Sequence, residues 1–287
     1  MGKRSYITVL STDNYIDGVL ILAKSLSEVK SSYPLLVIAS PILKSETYKK
    51  LEEASIEYKI DARYIQLPAL TEEKNERFGL EHWNHSFMKL CIFDKVDYEK
   101  LIYLDADMMI CENIDNLFEC PNMSSVIAGG RHENNKHWAK LNSGLMVIEP
   151  KDGLFNEFLE FLPKVGIDHD TFGDQEVIQD YFTDWEDNME LHLDDKYNMF
   201  VGYADYYGRK YNYGYKGYGT SGSNQNPEIE IAVAHFIEAK KPWMYTRLEY
   251  IIKLSKLFIK GNFMGLRMWM DYRRLMDSIH NPNNSQD

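Results

Sequence analysis

The segment Lys100-Leu101-Ile102-Tyr103-Leu104-Asp105-Ala106-Asp107 constrains this chain more than any other. An apolar run stops abruptly at two carboxylates one residue apart. In an extended chain, residues i and i+2 point to the same side. Open α/β sheets bind their ligands beyond the carboxyl ends of their strands. Two carboxylates placed there suit a hard divalent cation such as Mg²⁺ or Mn²⁺. The bare motif is weak evidence, because 21 Asp in 287 residues produce about 1.5 such triplets by chance. Asp168-His169-Asp170 is a second one, and only the first follows an apolar strand. The plain alternative is an Asp pair that caps a turn ahead of Ile114-Asp115-Asn116-Leu117-Phe118.

The surrounding pattern fits a sheet of this kind. Tyr6–Leu10, Leu35–Ala39, Lys100–Leu104, Val126–Ala128 and Leu145–Ile148 read as strands. A helix follows the first strand, with an apolar face at Ile16, Val19, Leu20, Ala23 and Leu26 and a cap expected from Ser11, Thr12 or Asp13. Further helices are expected over Lys44–Ala54, Ser86–Phe93, Leu154–Leu162 and Asp174–Phe182. Such alternation predicts an α/β sandwich with a mostly parallel sheet. Tyr203–Tyr218, crowded with Tyr and Gly, and Thr220–Pro227 are expected to form one long loop. A last strand is expected at Ile231–Phe236 and helices from Tyr245 to Ile279. No internal repeat is visible.

Lys+Arg 32 against Asp+Glu 44 leave a net charge of -12. General nucleic-acid binding is therefore not expected, since phosphate contacts need a basic surface. An acidic protein that handles phosphorylated ligands needs a metal ion or a local basic group. Cys91, Cys111 and Cys120 match no zinc or disulfide spacing and read as reduced thiols of a cytoplasmic protein. The apolar run after Met1-Gly2-Lys3-Arg4 breaks at Ser11, too short for a signal-peptide core. No apolar stretch reaches the ~18–20 residues of a membrane span. The tail, 244–287, holds seven Lys/Arg and four Asp/Glu among Phe258, Phe263 and Trp269. It reads either as a basic amphipathic surface making peripheral contact with an anionic membrane, at the inner face, or as helices packing on the domain.

Read in order, the motifs resemble those of the family 8 glycosyltransferases over roughly residues 5–243. That group includes glycogenin, galactinol synthase and bacterial lipopolysaccharide glycosyltransferases. The resemblance implies a GT-A fold, a Rossmann-like nucleotide-binding α/β/α sandwich with a mixed, mostly parallel sheet. It implies a domain at 1–243, with 244–287 as a basic helical extension. It also implies a UDP-sugar donor, Mn²⁺ (or Mg²⁺), and transfer of a hexose with retention to a saccharide, glycolipid or glycoprotein acceptor. Thr8-Val9-Leu10-Ser11-Thr12-Asp13-Asn14-Tyr15 matches the family's first strand and helix, so Val9, Ser11, Thr12 and Tyr15 would form the uridine pocket, with Tyr15 stacking on the base. Ser86-Phe87-Met88-Lys89-Leu90 matches the helix whose Lys points to the donor sugar, and Arg77 stands where an upstream donor-binding Arg is expected, with a spacing to Lys89 that departs from the family's. Asp105 and Asp107 would bind the metal, and the backbone near Ala106 the ribose. Asn142 and Ser143 of Leu141-Asn142-Ser143-Gly144-Leu145 would contact the donor sugar. Asp174 and Gln175 of Gly173-Asp174-Gln175 would lie beside the reacting sugar, where a helix-capping role is also compatible.

His235-Phe236-Ile237-Glu238-Ala239-Lys240-Lys241-Pro242-Trp243 resembles the family's His-x-x-Gly-x-x-Lys-Pro-Trp. His235 would be the third metal ligand through a neutral imidazole, and Lys241 would hold the departing diphosphate. Glu238 is a departure, for the family has Gly there. A carboxylate at that point would repel phosphates unless it turns away. Two mechanisms stay open, a double displacement with Asp174 or Gln175 on the far face, and front-face attack within an ion pair. Tyr203, Tyr206, Tyr207, Tyr211, Tyr213, Tyr215 and Tyr218 would offer acceptor platforms, a self-glycosylated hydroxyl, or plain packing. The competing readings are a catalytically silent sugar-nucleotide binder, favoured by Glu238, and a nucleotidyltransferase. The latter is ranked last because Ser11-Thr12-Asp13-Asn14 is no Gly-rich phosphate loop.

Overall fold

The computed structural model describes residues 2–63, 73, 75–77, 81–169, 172–217 and 227–280. Asp170, Tyr218 and the segment 219–226, which figured in the sequence reading, lie outside them. The chain forms two compact units. The strands are β1 Arg4–Leu10, β2 Leu35–Ala39, β3 Glu57–Ile60, β4 Lys100–Leu104, β5 Met108–Ile110, β6 Ser125–Ile127, β7 Leu141–Ile148, β8 His192–Leu193, β9 Met199–Phe200, β10 Tyr213–Gly214, β11 Ile229–Glu230 and β12 Val233–His235. The α-helices, numbered in chain order, are α1 Ile16–Glu28, α2 Ser45–Glu53, α3 Leu154–Asp168, α4 Asp174–Tyr181, α5 Ala204–Tyr211, α6 Arg247–Ile259 and α7 Phe263–His280.

The first unit takes the described residues of 1–16, 33–105 and 116–193. Its seven-stranded sheet has the order β3-β2-β1-β4-β7-β6-β8. β1, β2, β3 and β4 run parallel, and β7 runs antiparallel to both β4 and β6. β2 and β4 are buried at every position, as expected of parallel strands covered on both faces. The chain steps outward from β1 to β3 and then returns to the other side of β1 with β4. The strand order therefore reverses between β1 and β4, which is where open α/β sheets leave a ligand crevice at their carboxyl ends. Ser11 follows β1 at that end and Asp105 follows β4. Phe87, Leu90, Phe93, Phe158 and Ile178 bring the helical segment Glu81–Asp94, α3 and α4 into one core with the sheet.

Two expectations change in this unit. β7 begins at Leu141, not Leu145, so Asn142 and Ser143 lie inside a strand. Thr12 precedes a 3₁₀ turn, Asp13–Tyr15, and its side chain makes no capping hydrogen bond. Asp13 caps a different helix. Its Oδ1 accepts from the Lys44 N–H at 3.0 Å and the Thr47 hydroxyl at 2.6 Å, at the start of α2. The signal for a cap was present, but the helix it serves is 31 residues further on.

The second unit takes the described residues of 17–32, 106–115 and 194–287. Its three-stranded sheet, β5-β12-β9, pairs β12 antiparallel to β5 and parallel to β9. The expected loop over Tyr203–Tyr218 is largely ordered structure, with α5 and β10 inside it. Tyr203, Tyr207 and Tyr211 recur at helical spacing, and Tyr207 is buried. A Cβ added at Gly208 would lie 3.2 Å from the Tyr213 carbonyl oxygen and would displace the end of the Met264 side chain. Asn212, at φ 55, ends the helix in the left-handed conformation. Trp269 and Tyr272 of α7 are buried against Phe236, with ring centroids 5.6 and 4.7 Å away. The tail helices thus share a core with the residues around β12. The opposite face of α6 leaves Leu248, Ile251, Ile252, Phe258 and Ile259 exposed. Among the described residues no helix is long and apolar enough to cross a membrane.

Gly18 of α1 fixes a close approach. A Cβ there would lie 2.5 Å from the Ala106 carbonyl oxygen and 2.7 Å from the Trp243 ring. Gly18→Ala would gain up to ~1 kcal/mol of helix propensity but incur ~1–3 kcal/mol of overpacking against backbone that cannot swing aside. The expected result is a lowered melting temperature. Gly202→Ala, where a Cβ meets nothing within 4 Å, serves as the control and should melt with the wild type. A Gly18→Ala melting point at or above wild type would refute the close contact.

Candidate active site

In the first unit the residues of interest converge on one ammonium. Lys89, from the helical segment Glu81–Asp94, is buried. Its Nζ lies 2.6 Å from Asp174 Oδ2 and 3.1 Å from Asp105 Oδ1. It also donates to the Ser143 hydroxyl at 3.2 Å and sits 4.7 Å over the Tyr103 ring. Burial alone would push this ammonium toward neutrality. The two carboxylates outweigh that and hold it well above its ordinary range. The Ser143 hydroxyl donates to Asp174 Oδ2 at 2.7 Å, and the Ser143 N–H donates to Gln175 Oε1 at 3.2 Å. The Asn142 Oδ1 accepts from the Gly144 N–H at 2.8 Å. The Asp174 N–H donates to the Ser86 hydroxyl at 3.1 Å.

Each partner is placed by the fold. β4 delivers Asp105 and β7, its antiparallel neighbour, pairs Leu104 with Leu145 and carries Asn142 and Ser143 nearby. The Asp105 N–H closes the strand end onto the Gly144 carbonyl at 2.9 Å. Gly173 is the N-cap of α4, and its N–H is taken by the Glu176 side chain at 2.8 Å. The capping task falls to Glu176, which leaves Asp174 and Gln175 for other partners. Tyr103 donates its hydroxyl to Asp105 Oδ1 at 2.6 Å.

The second unit holds a second buried cluster, around Asp107. His235 Nε2 lies 3.0 Å from Asp107 Oδ1, and Lys241 Nζ lies 2.7 Å from Oδ2. All three are buried. The pairing of His235 with Met108 across β12 and β5 puts the imidazole beside residue 107. The Phe236 N–H donates to the Asp107 carbonyl at 3.0 Å and extends that register. Burial opposes ionisation of Asp107, yet His235 and then Lys241 hold the carboxyl well below its usual range. The other ring nitrogen, His235 Nδ1, lies 2.7 Å from Asn198 Oδ1. An amide oxygen only accepts, so Nδ1–H is the donor to Asn198, and Nε2 is the nitrogen that faces Asp107.

Val9 is half-buried and packs on the core of the first unit, while Ser11, Thr12 and Tyr15 are half-buried at the carboxyl end of β1. Ala106 is buried. Arg77 is exposed, and its donor role rests on the family resemblance alone. Glu238, the departure from the family pattern, is bound by Lys253 of α6, with Nζ 2.6 Å from Oε2. Asn198 and Tyr103 went unnoticed in the sequence. Asn198 lies 37 residues before His235 and carries no motif; only the pairing of β9 with β12, His235 opposite Phe200, brings it near. Tyr103 was read as strand, although its position two residues before Asp105 was a usable signal.

The sheet with its reversal between β1 and β4 and the acidic strand end define a GT-A fold. The structure is similar to the galactosyltransferase LgtC crystallised with donor and acceptor sugar analogues, at a TM-score of 0.57 and 14% identity over 95% of each chain. It is also similar to the glycosyltransferase GlyE of Streptococcus pneumoniae, at 0.55 and 19% identity over 98% of this chain and 64% of that one. Residues 6–247 match the model of glycosyl transferase family 8, and the chain belongs to that family. Among its relatives, inositol phosphorylceramide glucuronosyltransferase 1 of Arabidopsis thaliana is 32% identical over 64% of this chain and 31% of its own length. Glycogenin-1 of Caenorhabditis elegans is 28% identical over 84% of this chain and 51% of its own length. Galactinol synthase 2 of A. thaliana is 36% identical over 42% of this chain and 35% of its own length. The chain thus spans from about a third to two thirds of the length of the curated relatives it matches.

The Lys89 cluster has a direct consequence for stability. Lys89→Met would leave Asp105 and Asp174 facing each other without their shared cation, and breaking a buried pair in this way costs roughly 3–5 kcal/mol. Adding Asp174→Asn removes one of the stranded charges. We expect the double variant to recover a large part of the loss in urea unfolding. A double variant no more stable than Lys89→Met would refute the charge argument.

Proposed function

We propose that the protein is a metal-dependent glycosyltransferase that moves a hexose from a UDP-sugar to a saccharide or glycoconjugate acceptor, with retention at the anomeric carbon. One observation carries the reading. In the three residues Asp105-Ala106-Asp107, each carboxylate is matched by its own lysine, Asp105 by Lys89 and Asp107 by Lys241. Acidic groups and lysines held together without neutralising one another's function are what a diphosphate with a bound cation requires.

Asp105, Asp107 and His235 offer two carboxylate oxygens and one imidazole nitrogen. This donor set fits Mn²⁺ or Mg²⁺ better than a softer metal, and the Asn198 contact already orients the imidazole. A divalent ion held by these three residues would supply positive charge against the diphosphate as it departs from the anomeric carbon. Lys241 adds a buried ammonium for the departing diphosphate. Val9, Ser11, Thr12 and Tyr15 hold the uridine, and Ala106 meets the ribose through its backbone. Lys89, Asn142, Ser143, Asp174 and Gln175 line the donor sugar, with Arg77 as an outer contact. Asp174 Oδ2 already accepts from both Lys89 and Ser143. A carboxylate engaged in this way is a weak nucleophile, which favours front-face attack, with Asp174 orienting the sugar. The basic residues Lys256 and Lys260 beside the exposed apolar face of α6 favour a lipid-linked acceptor at a membrane surface. Glu238, the sequence feature that favoured a silent binder, has its charge matched by Lys253.

The test is UDP release from each common UDP-hexose with Mn²⁺. One preferred donor, with turnover lost in EDTA and restored by metal, is the expected result; no release from any donor, with or without candidate acceptors, refutes the transferase. Asp107→Ala should abolish turnover, and unchanged turnover would sink the metal assignment. Asn198→Ala should weaken Mn²⁺ binding about 10–100-fold in a metal titration, with the fold intact by circular dichroism.

A further inference from the structure

The turn that joins His235 to Lys241 is tied to α6 by two ion pairs of opposite sense. Glu238 binds Lys253, with Nζ 2.6 Å from Oε2. Lys240 binds Glu249, with Nζ 2.5 Å from Oε1. Glu249 and Lys253 are four residues apart and so share one face of the helix. The acid of the turn meets the base of the helix, and the base of the turn meets the acid of the helix. Lys253 is well anchored for a lysine. Its side chain is 15% exposed, and its Nζ lies 4.9 Å over the Trp269 ring, which is itself buried. Glu249 is also fixed, because its Oε2 accepts from the Thr246 N–H at 2.9 Å in a capping box at the start of α6.

The position of Glu238 gives this clamp its significance. It is three residues from His235 and three from Lys241, at most ~10–11 Å along the chain from either. Both of those residues face Asp107. A free carboxylate at that range lies within about one Debye length of an anion bound at Lys241 and repels it. Its own side chain is 44% exposed, and it is held by the ion pair to Lys253 with a further hydrogen bond from the Tyr245 hydroxyl.

We propose that Lys253 is a positioning residue for the donor: it draws the Glu238 carboxylate onto α6, away from the diphosphate that Lys241 receives. The inference rests on the UDP-sugar reading above. It makes Lys253 and Glu238 a matched set in which loss of the lysine is harmful only while the glutamate is present.

The experiment uses the full chain, with UDP and Mn²⁺ as the probe in isothermal calorimetry. Lys253→Met keeps the apolar stem over Trp269 and removes the charge. It should raise the UDP Kd about tenfold, the change expected when one stray charge is exposed near the site. Lys253→Met combined with Glu238→Gln should return the Kd to within about twofold of wild type, and Glu238→Gln alone should bind UDP as the wild type does. In turnover, Lys253→Met should raise the donor KM and leave kcat in place. Rescue by the second substitution is the readout that a merely structural role for Lys253 does not produce. A Kd unchanged in Lys253→Met, or a double variant as weak as the single one, overturns the inference while leaving the transferase reading intact. If Lys253→Met melts early, the Lys253→Glu/Glu238→Lys exchange replaces it, and failure of that exchange to bind like wild type likewise overturns the inference. A wild-type protein that binds no UDP with Mn²⁺ overturns both.

Discussion

Burying carboxylates side by side is the constraint on which the rest depends. Asp107 is almost wholly removed from water and Asp105 largely so, and one residue separates them along the chain. Desolvation and mutual repulsion both oppose this arrangement. Lys89 and Lys241 are therefore structural requirements before they are anything else. Their burial in turn explains much of the nearby architecture. Ser143 and Asp174 surround the ammonium of Lys89, and the turn after His235 returns Lys241 to the Phe236 carbonyl at 3.2 Å. Acids brought this close need counter-charges in the fold itself, and here the chain's own lysines supply them.

The parts of this design legible in the sequence were those coded locally. The apolar run ending in Asp105-Ala106-Asp107 became a buried strand with its acids at the carboxyl end. Strand and helix alternation pointed to the parallel core, and the reversed β7 was the part of the sheet that periodicity could not orient. The glycine-and-tyrosine stretch misled because Gly was taken as a turn former. Gly208 instead lies inside a helix, close to the Tyr213 carbonyl, and the tyrosines around it follow a helical repeat.

What remained hidden depends on contacts between distant segments. Asn198 acquires its place from two strand pairings and nothing in its neighbourhood marks it. Asp13 looked like the cap of the next helix and serves α2. Glu238 read as a defect in the phosphate-binding turn, since the sequence does not show that Lys253 lies within hydrogen-bonding distance of it. In each case the residue type was informative about chemistry and silent about the partner.

The Asp13 contact carries a consequence for how such a chain can diversify. It ties the segment after β1, where Ser11, Thr12 and Tyr15 stand, to the first turn of α2 through the Thr47 hydroxyl. Thr47 is buried and has no place among the residues assigned to the nucleotide. A change at position 47 therefore reaches the segment proposed to hold the uridine from outside that segment, through a helix that carries none of the motifs.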